Sequence, residues 1–223
     1  MVSDKIIQKR IKLHNQLLQY FEGNSIYDLF LSVFNSSVVP LSPFEIKKWW
    51  EKFIINCENK KFLKHINFYL HIPFCRSKCH YCMYPSWQLT NSKELDCYIE
   101  YLIENFQFFS SVFKTIKFKN LYVGGGTPSI LTPRQISRLF SNLFKYFSFE
   151  KEGQRTIECN PESTTFEKLY LFKKFNFNRI SFGVQSTNKK VLQISNRGYQ
   201  SLRKIKEVIN FAKRLNFSEI NVD

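Results

Sequence analysis

The sequence predicts an α/β fold: parallel strands alternating with helices in a partial, five-stranded barrel, behind a helical N-terminal extension. Three observations carry this expectation. From residue 67 onward, short β-branched and aromatic runs alternate with helical stripes that open on capping signals. Each of the first four strand-like runs leads, through cysteine, glycine or polar residues, into a helix. Repeated β-then-α units need crossover connections, which set the strands parallel, as in a barrel or a doubly wound sheet.

Residues 1–66 read as a helical segment without chemistry-bearing motifs. Over 5–21, Ile6, Ile7, Ile11, Leu13, Leu17 and Leu18 form a loose apolar stripe. Ser42-Pro43-Phe44-Glu45 then supplies an N-cap, a first-turn proline and a capping-box glutamate. The helix it starts carries Trp49, Trp50 and Phe53, which read as packing residues. Residues 67–223 form the core. Its first strand is Phe68–Phe74, followed by a cysteine loop and a helix over 92–109. The second, Asn120–Val123, runs into Gly124-Gly-Gly-Thr-Pro-Ser129, and Thr132-Pro133-Arg134-Gln135 caps the next helix. The third is Arg155–Cys159, closed by Asn160-Pro161, with Thr164 and Glu167 expected as the capping box of its helix. The fourth is Arg179–Val184, leading to Gln185-Ser186. A helix follows Ser201, and Ser218–Asp223 is the fifth strand. A barrel cannot close on that strand, so the core is expected to be incomplete at its C-terminus.

The formal charge of +15 invites acidic partners, but the lysines are spread over many helix faces without a basic block or a nucleic-acid motif. No nucleic-acid partner is expected. The polar N-terminus and the lack of an apolar run near ~20 residues argue against a signal peptide or a stable membrane insertion. Outside one triplet the six cysteines are scattered, which fits a reducing, cytoplasmic setting better than a disulfide framework.

That triplet, Cys75-x3-Cys79-x2-Cys82, is the most chemically pointed feature. Structural zinc and ordinary iron–sulfur clusters take four protein ligands. Three thiolates leave one metal corner open, unless His80, inside the loop, completes a zinc site. Gly124–Gly126 contain three of the seven glycines of the chain. Such a run lets backbone lie against a ligand and offers it amide donors. Gly126→Val is then expected to block a ligand and leave the metal loop loaded. At other strand ends, Glu158 suits a ribose or ammonium group and Gln185 a ribose or carboxylate, while Arg197 suits a carboxylate, which guanidinium can grip bidentately. Tyr81 would pack on a cluster or an adenine. Cys57, Cys97 and Cys159 read as core thiols. No catalytic side chain is assigned.

Together, Tyr69-Leu-His-Ile-Pro-Phe-Cys75, Cys79-His-Tyr-Cys82, Val123-Gly-Gly-Gly-Thr-Pro-Ser129, Glu158-Cys-Asn-Pro161, Asn178-Arg-Ile-Ser-Phe-Gly-Val-Gln-Ser186, Asn196-Arg197 and Ile220-Asn-Val-Asp223 resemble one branch of the radical S-adenosylmethionine (SAM) enzymes. This is the branch of oxygen-independent coproporphyrinogen III oxidase and the related haem chaperones. The resemblance implies an open (β/α)6 barrel and a [4Fe–4S] cluster on Cys75, Cys79 and Cys82. It implies SAM contacts at Tyr69, Gly125, Gly126, Thr127, Glu158, Gln185, Arg197 and Asp223. The oxidase holds a second SAM, which Tyr69, Gly125 and Glu158 would face. A small-molecule substrate of tetrapyrrole type is implied, with an electron donor such as flavodoxin or ferredoxin. Tyr84 stands where the oxidase has a further cysteine, which the haem chaperones lack too. Methyltransferases and cyclopropane-forming relatives keep the same core.

Overall fold

The computed structural model describes residues 41–58 and 66–223. The expected helix over 5–21 and the Cys57 side chain lie outside them. The chain divides into two compact units, Met1–Lys52 and Phe53–Asp223. Helix α1, Pro43–Glu58, starts on the expected capping box: Ser42 Oγ accepts from Glu45 N–H, and Glu45 Oε2 accepts from Ser42 N–H.

The core is a five-stranded parallel sheet. Its strands, named among all the short strands in chain order, are β1 (Phe68–Ile72), β5 (Leu121–Gly125), β7 (Arg155–Cys159), β8 (Arg179–Phe182) and β9 (Glu219–Val222). They lie side by side in that order, every pair parallel. Two small parallel pairs accompany the sheet: β2 (Phe74–Cys75) with β3 (Trp87–Gln88), and β4 (Lys117–Phe118) with β6 (Ser148–Phe149). Helices α2 (Ser92–Phe109), α3 (Pro133–Tyr146) and α4 (Phe166–Lys174) fill the first three crossovers. α5 (Lys189–Ile194) and α6 (Leu202–Arg214) fill the last. Thr132 and Gln135 form the expected capping box of α3.

The differences from the expected elements have local causes. Strand one breaks at Pro73, which has no N–H for the ladder; its carbonyl instead accepts from Trp87 N–H at 2.7 Å and starts the β2–β3 pair. Strand four stops at Phe182 because bonds from Val184 N–H to Phe182 O (2.9 Å) and from Ser186 N–H to Val184 O (2.7 Å) coil the chain. α4 is capped by Thr165, whose side chain accepts from Lys168 N–H. Thr164 is instead fully buried and donates to Asn160 O at 2.7 Å, closing the short 3-10 turn Pro161–Ser163.

Alternation along the strands separates two faces. Leu70, Ile72, Val123, Ile157, Ile180 and Phe182 are buried on one. At the base, Phe68 packs against Phe106, Phe118, Phe147 and Phe149, with centroids 5.0–6.4 Å apart. The other face carries Tyr69, His71, Tyr122, Thr156, Glu158, Ser181 and Asn221, polar throughout.

Candidate functional site

Because all five strands run the same way, their C-terminal ends meet at one rim, where open α/β sheets bind ligands. A cavity of about 300 Å³ opens there. Cys75, Cys79 and Cys82 line it, together with Gly125, Gly126 and Thr127, Glu158, Gln185, Arg197 and Asp223, and with Tyr81. The structure therefore brings together every expected site residue except Tyr69, which stands deeper on the same polar face. There its ring stacks on Tyr122 and its hydroxyl meets His71 Nδ1 at 2.9 Å. His71 Nε2 lies 2.9 Å from the Pro85 carbonyl, which only accepts, so Nε2 donates there and Nδ1 is the atom that meets Tyr69.

The glycine turn works differently from the expectation. Its amides are already engaged: Gly125 N–H with Glu158 Oε2 (3.3 Å), Gly126 N–H with Ile72 O (2.8 Å), and Thr127 N–H with Phe74 O (2.8 Å). What the turn needs is the missing side chains. A Cβ on Gly124 would lie 2.8 Å from the Glu158 carboxylate, and one on Gly125 2.7 Å from the His71 ring. One on Gly126 would lie 2.7 Å from the Phe74 carbonyl. Gly125 also has φ +112°, a conformation that suits glycine. The run thus seats the cysteine strand and makes room for two polar side chains.

Glu158 is held at both oxygens. Tyr122 Oη donates to Oε1 at 2.6 Å, while the Gly125 amide holds Oε2. Burial, and then the neighbouring carboxylate, push the Tyr122 phenol well above its usual range, so it stays a donor. Asp223 Oδ2 accepts from Ser181 Oγ at 3.1 Å, and Oδ1 accepts from Asn221 Nδ2. Gln185 sits at φ +66°, its N–H donating to Asp223 O at 2.7 Å. This left-handed turn aims the chain out of the strand.

Arg197 is only 6% exposed. Its Nη1 donates to Cys79 Sγ at 3.4 Å; its Nη2 donates to Gly183 O and to Gln200 Oε1, the latter at 2.8 Å. Nε is buried without a partner. Three of the five guanidinium N–H groups are thus engaged, leaving Nε–H and the second N–H of Nη1. Burial alone would lower its proton affinity, but the Cys79 sulfur, Tyr199 and Tyr81 outweigh that and raise it. Tyr81, about half exposed, has its phenol pushed up to about 12 by desolvation, with Arg197 pulling the other way. Burial also raises the Cys75 thiol, opposed by a hydrogen bond from Thr127 Oγ1 to Sγ at 3.3 Å.

His80 is tied elsewhere: its Nδ1 donates to Ile194 O at 2.8 Å. Among the described residues no three His, Cys, Asp or Glu side chains gather closely enough for a single metal ion. Sequence reasoning missed Tyr122, His71 and Gln200 as supports of the site. The alternation of β5 places Tyr122 on the same face as Glu158, a signal that was legible. The roles of His71 and Gln200 depend on tertiary contacts.

The sequence profile of the radical SAM superfamily matches residues 69–223. The heme chaperone HemW of Lactococcus lactis is 34% identical over 155 residues, 70% of this chain and 39% of the relative. The oxygen-independent coproporphyrinogen III oxidase of Escherichia coli is 32% identical over 158 residues, 71% of this chain and 34% of that protein. The solved structure of the E. coli oxidase HemN superposes with a TM-score of 0.68 at 31% identity, covering 71% of this chain and 36% of its own. The chain thus spans between a third and two fifths of the length of these relatives. The chain belongs to the radical SAM superfamily.

Proposed function

We propose that this chain carries the cofactor site of a radical SAM oxidoreductase of the coproporphyrinogen oxidase type, acting on a tetrapyrrole. The observation that carries the reading is the meeting of the three-cysteine loop with the glycine turn and the polar strand ends around one cavity. The donor set fits a [4Fe–4S] cluster: three thiols, one of them facing a buried guanidinium, with no fourth thiol at the cavity among the described residues besides the buried Cys159. That the thiols do not close on a point supports a cluster over a single zinc ion. Cys75, Cys79 and Cys82 would hold three irons and SAM the fourth. When bound, the pair would supply reductive cleavage of SAM, giving methionine and a 5′-deoxyadenosyl radical for hydrogen abstraction from substrate.

The protein residues would bind and orient. Arg197, on the cavity wall, suits the SAM carboxylate. Glu158 and Asp223, each pre-held by protein donors, suit its ammonium or ribose hydroxyls, and Gln185, Thr127 and the Gly125–Gly126 backbone line the same space. Tyr81 would cover the adenine. Tyr69, Gly125 and Glu158 would face a second SAM. An electron donor of the flavodoxin or ferredoxin kind would supply the reducing equivalent. The sheet's inner face presents Glu158, Glu219 and Asp223 against Arg179, which already pairs with Glu219 at 2.7 Å. Recognition of tetrapyrrole carboxylates therefore falls to groups off this face.

Tyr84, where the oxidase has a further cysteine, favours a second reading: a haem chaperone whose cluster and SAM regulate. Anaerobic reconstitution separates the outcomes. About four irons and four sulfides per chain are expected, lost in each of Cys75→Ala, Cys79→Ala and Cys82→Ala. Formation of 5′-deoxyadenosine with coproporphyrinogen supports the oxidase; haem binding without SAM cleavage supports the chaperone. Tightly bound zinc in place of iron refutes both.

A further inference from the structure

We infer that Arg197 and Thr127 set the reduction potential of the cluster, each by donating a hydrogen bond to one of its thiolate ligands. The inference rests on the cluster reading above. Arg197 Nη1 reaches Cys79 Sγ at 3.4 Å and Thr127 Oγ1 reaches Cys75 Sγ at 3.3 Å. Arg197 is aimed there by construction. Gln200, itself held by bonds from Nε2 to Val184 O (2.6 Å) and Ser186 O (3.1 Å), accepts from Nη2, and Gly183 O accepts beside it.

The surrounding segment acts as a clasp. Asn196, at φ +59°, turns the chain after α5, and its Nδ2 donates to Lys78 O at 2.8 Å. His80 Nδ1 and N–H donate to Ile194 O and Ser195 O at 2.8 and 3.3 Å. Residues 78–80 are thus fastened, residue by residue, to residues 194–197, and the guanidinium has little freedom to swing toward solvent.

The partners of Arg197 are a thiol sulfur, a carbonyl and an amide oxygen. None of them carries the negative charge that a buried guanidinium requires. An anionic cluster on Cys79 supplies it. Reduction adds one more negative charge beside that fixed cation. The cation and the donor N–H therefore stabilise the reduced state more than the oxidised one and raise the potential. Thr127 does the same with a neutral dipole, so its effect is smaller.

The test is an EPR-monitored redox titration of the reconstituted protein without SAM. Arg197→Met should shift the midpoint to more negative potential, Thr127→Val should shift it less, and Arg197→Lys should fall between Met and native. If Arg197→Met fails to load, Gln200→Ala, which removes one of the two acceptors of Nη2, and Thr127→Val decide by the same shift. Native midpoints in the loaded variants overturn the inference and leave the cluster reading intact. Iron and sulfide content of the unsubstituted protein tests that reading separately.

Discussion

The two faces of one sheet answer to different physics. Ile157 is fully buried and Glu158, the next residue, lines the cavity; Ile180 and Ser181 repeat the contrast on the neighbouring strand. On the apolar face each side chain gains about 1.5–3 kcal/mol by leaving water. On the polar face, hydrogen bonds such as Tyr122 to Glu158 restore what the groups lose, at a net gain near ~1 kcal/mol each. The apolar core lies on one side of the backbone and the polar groups of the candidate site on the other, at a spacing of a single residue.

This contrast can be broken most sharply at adjacent positions. Ile157→Ala should lower the unfolding free energy by about 2–5 kcal/mol in denaturant titrations. Glu158→Gln should change it by less than ~1 kcal/mol while weakening SAM binding in equilibrium dialysis. Equal destabilisation by both would show that the polar face is structural.

Gly126→Val tests where the two faces meet. Its Cβ would press on the Phe74 backbone, so the variant should lose about 1–3 kcal/mol. It should also lose iron, because Cys75 follows Phe74. A variant that binds iron normally but not SAM would restore the ligand-cradle role expected from sequence.

Cys159 probes the buried side by pH. Burial pushes its thiol from the ordinary 9.0 up to about 12, so it stays protonated in the folded state at pH values where the unfolded chain has ionised. Its contribution to stability is complete below pH 9.0 and is lost as the pH rises toward about 12, at about 1.4 kcal/mol per unit. Alkylation at pH 8 followed by mass spectrometry should modify the exposed Cys97 and spare Cys159 until unfolding. The smallest effect belongs to the helix caps: Thr165→Ala should cost about 1 kcal/mol in thermal unfolding.

Much of this was legible in the sequence, because period-two and period-3.6 patterns report directly on faces. The five long strands, the capping boxes at Ser42 and Thr132, and the gathering of strand-end residues at one rim follow from such patterns. The break at Pro73 was readable from the proline alone. The β2–β3 pair, the six-residue α5 and the shift of the α4 cap from Thr164 to Thr165 were not. Each is decided by a partner far along the chain or by a one-residue competition for the same backbone amides. The close packing of the glycines against protein groups was hidden for the same reason: a bare backbone looks alike whether it makes room for a ligand, for His71 or for Phe74.

The clasp on the cysteine loop has a consequence in time. Lys78 and Cys79 meet Asn196 and Arg197 across 118 residues of sequence. At synthesis rates of about 5–20 residues per second, the loop emerges on the order of ten seconds before the segment that fastens it. During that interval the thiols belong to an unlatched nascent chain, open to oxidation and to stray metal ions. On the cluster reading, correct metal loading should therefore follow the synthesis of residues 194–197, and slowing translation between the first and fourth strands of the sheet should raise the fraction of mis-metallated protein.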